Sequence, residues 1–218
     1  MKSSNVWKIL QFGALTILGY CTLRILTEKT IMTDPISEER IAKALAVEPI
    51  PESKNARLHH VAYRIKDPIV TLEFYRKVFG MRLNRRSSNT KFKTTFYHMG
   101  YGTPEENPSD NVSSWKTVSI EFYHVWGSED DKDFRYHSGN ENPKGYGHIA
   151  LTVADPYAFA KRAEQLGVKF IKKPDEGTHR GQCFLQDPDG YYIEVYNKTV
   201  YTAGEKNPQI YLDMFKYK

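Results

Sequence analysis

Apolar side chains fall at every second position in His60-Val61-Ala62-Tyr63-Arg64-Ile65 and again in His148-Ile149-Ala150-Leu151-Thr152-Val153. A period of two marks a strand with one buried face, so Val61, Tyr63 and Ile65 are predicted to pack inward while His60, Ala62 and Arg64 face the other way. Both runs lead into Asp-Pro, at Asp67-Pro68 and Asp155-Pro156. Asp can cap the free N–H groups of a helix and Pro fits its first turn, so helices are predicted over 69–79 and 157–166. Gly80 and Gly167 follow them, as a left-handed C-terminal position demands. Further on, Ile120-Glu121-Phe122-Tyr123 is answered by Ile193-Glu194-Val195-Tyr196. The same features in the same order make an internal duplication.

Each copy reads as strand, helix, then several strands ending on the Ile-Glu run. The predicted class is α+β: two βαβββ modules in tandem, 57–130 and 145–200, forming a curved, barrel-like mixed sheet around a cavity with the helices outside. Residues 101–116 are a polar, turn-rich insertion in the first module. Asp187-Pro188-Asp189-Gly190 marks a tight turn before the last strand. Residues 201–218 form a C-terminal tail.

Ahead of the modules, residues 9–23 (ILQFGALTILGYCTL) are apolar between Lys8 and Arg24, shorter than the roughly 20 residues a comfortable membrane span needs. Two readings stay open for 1–31: a mitochondrial targeting sequence or membrane anchor, and a dispensable leader after which Met32 begins a cytoplasmic form. Residues 32–56 read as a short amphipathic helix and a Pro-punctuated linker. Charge changes little. Lys2, Lys8, Arg24 and Lys29 against Glu28 give the first 31 residues +3 of the chain's net +5. The remainder has no basic cluster interleaved with aromatics, so a nucleic-acid surface is not expected. Cys21 and Cys183 are read as free thiols in a reducing compartment, where the sequons at Asn111 and Asn197 go unused.

The duplication puts one His and one Glu of each copy on the non-core face: His60 and Glu121 in the first, His148 and Glu194 in the second. Two imidazoles and two carboxylates make a mixed N/O donor set suited to zinc, nickel or cobalt. A set without thiolate leaves room for substrate oxygens. Taken singly, a strand His is more often hydrogen-bonded and a Glu more often solvated; the register with the repeat favours metal. His59, His98, His124, His137 and His179 are read as surface or structural, and Glu129-Asp130-Asp131 as an exposed loop. There is no P-loop, GxGxxG or GxSxG pattern, and nothing near Cys183 signals activation.

These residues resemble a known family. The motifs RIKDP–LEFYRKVFGM (64–81), IEFYHVWGSEDD (120–131), YHSGNENPKGYGHIALTVADP (136–156) and GVKFIKKPDEG with QDPDGYYIEVYN (167–197) are similar to glyoxalase I (lactoylglutathione lyase) of the vicinal-oxygen-chelate superfamily, over about two-thirds of the chain. The resemblance implies a homodimer with sites drawing ligands from both subunits. It implies metal ligation by His60, Glu121, His148 and Glu194, with zinc preferred and nickel or cobalt as alternatives. The implied reaction isomerises the methylglyoxal–glutathione hemithioacetal to S-D-lactoylglutathione through a metal-stabilised enediolate. Glu194 would be the base, with Glu121 as its catalytic partner, and Arg64 would grip a glutathione carboxylate. Val125 stands where the family places a glutathione-binding Asn, and Lys144 replaces an Arg, keeping charge without the fork. Thr94 and His98 occupy positions usually aromatic or apolar. A different thiol or substrate, a related ring-cleaving or thiol-transfer metalloenzyme, and a non-catalytic binding module are the alternatives.

Overall fold

The computed structural model describes residues 36–102, 117–177 and 180–197. Two compact units divide at residue 56. In the first, helix α1 (Glu38–Leu45) is capped by Ser37, whose Oγ accepts from Arg40 N, and buries none of its residues. Residues 9–23 lie outside the described residues, among which no helix is long and apolar enough to cross a membrane.

The second unit holds the duplication. Its first module runs β1 (His60–Ile65), α2 (Pro68–Phe79), β2 (Arg82–Asn89), β3 (Thr94–Gly100) and β4 (Ser119–Val125). Its second runs β5 (Ile149–Thr152), α3 (Pro156–Gln165), β6 (Phe170–Lys172), β7 (Gln182–Gln186) and β8 (Tyr192–Tyr196). The helix starts are as the sequence predicts: Asp67 accepts from Ile69 N and Val70 N, and Asp155 from Tyr157 N and Ala158 N. Gly80 and Gly167 adopt φ of 69° and 75°, a left-handed conformation that glycine takes without the strain a side chain would bring.

The modules build two separate four-stranded sheets, ordered β1-β4-β3-β2 and β5-β8-β7-β6. In each the outer strand pairs in parallel with the Ile-Glu strand and the rest is antiparallel. The sheets do not close into one barrel within the chain, because β1 and β5 remain edges. Their back faces meet in a single core containing Tyr63, Ile65, Tyr75, Phe122, Leu185, Ile193 and Val195. Tyr63 stacks on Tyr191 at 4.9 Å and Phe79 on Phe159 at 5.6 Å, each pair adding about 1 kcal/mol beyond buried area.

Polar ties fix the modules against each other. Asp187, in the turn before β8, accepts from Asp189 N, Tyr191 N and, at 3.0 Å, the Tyr75 hydroxyl of α2. Asp189 accepts from Lys66 N and the Thr71 hydroxyl. Since both back faces look into one core, the two front faces look away from each other. That decides where the predicted ligands go.

Candidate metal centre

Front-face residues of the first sheet are set by the ladder. In the parallel pair Ala62 lies opposite Glu121, with His60 and Arg64 on either side. His60 Nε2 stands 4.0 Å from Glu121 Oε2. Arg64 places its guanidinium 4.5 Å over the Tyr123 ring. Tyr123 follows Glu121 by two along the strand, so Arg64 shares the face with the pair. Val125 ends the same face and Lys144 is exposed on the loop before β5.

The second sheet repeats the arrangement. Ala150 lies opposite Glu194, and His148, just before β5, brings Nε2 to 3.1 Å from Glu194 Oε2. Its ring meets Phe184 edge-on at 5.1 Å. Both carboxylates are largely buried, with side chains 17% and 14% exposed, while their imidazoles are 37% and 40% exposed. The structure thus brings the four predicted ligands together as two pairs and not as a set of four. Among the described residues no three His, Cys, Asp or Glu side chains are arranged to hold a metal ion. The pairs themselves fit one: in each, an imidazole nitrogen and a carboxylate oxygen face common space, a two-donor N/O set of the kind zinc accepts.

Two further side chains touch the carboxylates, and the sequence reading passed over both. His98, read as surface or structural, is buried at 5% exposure with Nε2 3.0 Å from Glu121 Oε2 and Nδ1 3.3 Å from the Ser119 hydroxyl. Burial pushes its imidazole below the ordinary value, against the opposing pull of Glu121. A neutral His98 can then donate from Nε2 to the carboxylate while Nδ1 accepts from Ser119. In the second sheet Gln182 donates from Nε2 to Glu194 Oε1 at 2.8 Å, leaving Oε2 toward His148. Only the β3–β4 and β7–β8 registers reveal these contacts; no local sequence signal carries them.

The other histidines sort differently. His124 is buried on the back face and pairs with Glu129 at 2.6 Å, so that carboxylate ties down a loop. His59 Nδ1 lies 2.7 Å from His60 Nδ1. His137 is exposed, its Nδ1 accepting from Gly139 N, and His179 lies outside the described residues. Cys183 is fully buried and its thiol is pushed up to about 12 by burial, which leaves it inert as a nucleophile.

The family model for the Glyoxalase/Bleomycin resistance protein/Dioxygenase superfamily matches residues 57–195. The chain belongs to this glyoxalase family. Glyoxalase I of Saccharomyces cerevisiae is 43% identical over 142 residues, 64% of this chain and 42% of the yeast protein. Lactoylglutathione lyase of Pseudomonas aeruginosa is 36% identical over 160 residues, 71% of this chain and 90% of the bacterial one. Among solved structures, glyoxalase I from Zea mays superposes with a TM-score of 0.52 at 27% identity, over 65% of this chain and 44% of the maize chain. This chain therefore spans less than half of the yeast and maize proteins and nearly all of the bacterial one.

Proposed function

We propose that the chain is a lactoylglutathione lyase, isomerising the hemithioacetal of methylglyoxal and glutathione to S-D-lactoylglutathione as a homodimer. The observation that carries this reading is the duplicated His–carboxylate pair, one on each of two front faces that look away from each other. A pair supplies two donors, and a catalytic site needs more. Setting the first-module face of one copy against the second-module face of another completes four donors twice over by a single two-fold operation, the commonest symmetry of soluble oligomers.

His60 and Glu121 of one copy, with His148 and Glu194 of the other, would hold a divalent ion, zinc for preference. When bound, that ion supplies Lewis acidity at the substrate's adjacent hydroxyl and carbonyl oxygens. Glu194 takes the proton from the carbon bearing sulfur and hydroxyl and returns it to the neighbouring carbon, while the hydroxyl proton passes to the former carbonyl oxygen, turning the hemithioacetal into a thioester with no net change in atoms. Gln182 donates to Oε1 of that carboxylate and so holds its orientation. Glu121 is gripped on Oε2 by His98. Arg64 pairs with a glutathione carboxylate beside this centre.

Thioester absorbance after mixing zinc-loaded protein with methylglyoxal and glutathione tests the reading. Activity should vanish on chelation, return with metal, and fall by about 10²–10⁴ in Glu194→Gln. The shared site has its own test. A double variant His60→Ala/Glu121→Ala and a double variant His148→Ala/Glu194→Ala should each be inactive and regain activity when unfolded and refolded together. Activity in either double variant alone, or none in the mixture, refutes the shared site.

A further inference from the structure

The edge strand of the first sheet carries a bulge whose effect is to turn one arginine onto the front face. Leu83 lies opposite Met99, yet Arg85 lies opposite His98, so β2 advances two residues where β3 advances one. Asn84 is the extra residue. In a regular ladder Arg85 would face Tyr97, which belongs to the core. The bulge reverses that, as bulges beside functional sites do. Arg85, His98, Glu121 and Ala62 now form one row across the sheet.

The arrangement is costly in its present state. Both polar atoms of the Asn84 side chain are buried without a hydrogen-bond partner, and so is Arg85 Nε. Arg85 is half-buried and makes no hydrogen bond or ion pair among the described residues, though its charge opposes protonation of the neighbouring His98. A buried polar group left without a partner is unfavourable, and more so when it is charged. Arg85 thus holds a buried Nε without a partner while the rest of its guanidinium stays open on the front face, where an anion arriving from outside the protein would meet unused donors.

We propose that Arg85 is an anion subsite for a carboxylate of the substrate. It lies two strands from Glu121, roughly 10 Å along the row, on the side opposite Arg64. The sheet thus offers two guanidinium groups flanking one carboxylate-centred site. The matching ligand is an adduct with anionic groups at both ends of the reacting atoms. This rests on the proposed function only in placing the substrate on the front face. The carboxylate can come from the thiol component or from the oxoaldehyde component.

Calorimetric titration of the zinc-loaded full chain separates the two sources. Wild type, Arg85→Gln and Arg85→Lys are each titrated with S-methylglutathione, its glycyl monoethyl ester, and S-(carboxymethyl)glutathione. Arg85→Gln should weaken by about tenfold or more whichever ligand supplies the carboxylate, with Arg85→Lys between, since it keeps charge and loses the fork. A loss for S-methylglutathione assigns a carboxylate of the thiol, the glycyl one where the loss disappears with the ester and the glutamyl one where it persists. A loss confined to the S-carboxymethyl ligand assigns the oxoaldehyde side. All ligands binding the three proteins within twofold overturns the subsite. Wild type that binds these ligands but forms no thioester would sink the lyase reading and leave Arg85 decided by the titrations; wild type that binds none of them overturns both.

Discussion

Asp187 offers a measurement independent of any substrate. Its carboxyl is 5% exposed and burial drives its pKa from 3.8 up to about 7, against the hydrogen bonds from Tyr191 N, Asp189 N and the Tyr75 hydroxyl. A folded-state pKa above the unfolded one means the native protein holds a proton that the unfolded chain releases. Stability is therefore full below pH 3.8 and falls as pH rises toward 7, then levels. At about 1.36 kcal/mol per unit, the loss across that window is about 4 kcal/mol. Asp187→Asn is isosteric: its Oδ1 can accept from both backbone N–H groups, and the Tyr75 hydroxyl can rotate to accept from Nδ2. Urea titrations from pH 4 to 8 should show the variant within about 1 kcal/mol of wild type at pH 4 and more stable than it at pH 8 by a few kcal/mol. A variant less stable by the same amount at every pH would refute the argument, since the turn would then depend on its hydrogen bonds and not on the cost of its charge.

Three further outcomes follow from the site and the core. Gln182→Leu frees Glu194 Oε1 and should lower kcat and zinc affinity by about 10–100-fold with an unchanged melting temperature; competition with a chromogenic chelator reads the affinity. Cys183 should resist alkylation by iodoacetamide in the native protein at pH 8 and react fully in urea, as mass spectrometry would record, because burial holds its thiol near 12. Phe122→Ala, emptying a fully buried position in the shared core, should cost about 3–5 kcal/mol in denaturant unfolding.

Much of the first and second modules was legible in the chain because the signals are local. Alternation in 60–65 and 148–153 names the inward faces, and Asp67-Pro68 and Asp155-Pro156 start the helices where the structure starts them. The duplication singles out His60, Glu121, His148 and Glu194, and the structure sets them in two like pairs. His98 and Gln182 were not legible as partners of those carboxylates. Their contacts depend on which residue of one strand lies opposite which residue of another, and that register is fixed across gaps of 23 and 12 positions. Arg85 was hidden for a sharper reason: a one-residue bulge inverts the face that alternation assigns.

Sequence alone thus settled the outer strand, the helix and the Ile-Glu strand of each module, the apolar side of those strands, and which polar residues recur in both halves, since each depends on neighbours a few positions away. Only the tertiary structure decided that the two apolar sides face a common core, through Tyr63, Tyr75, Tyr191 and the Asp187 turn. That packing turns the two His–carboxylate pairs outward and apart. Hydrophobic burial has no direction along the chain, so which faces meet is settled by long-range fit.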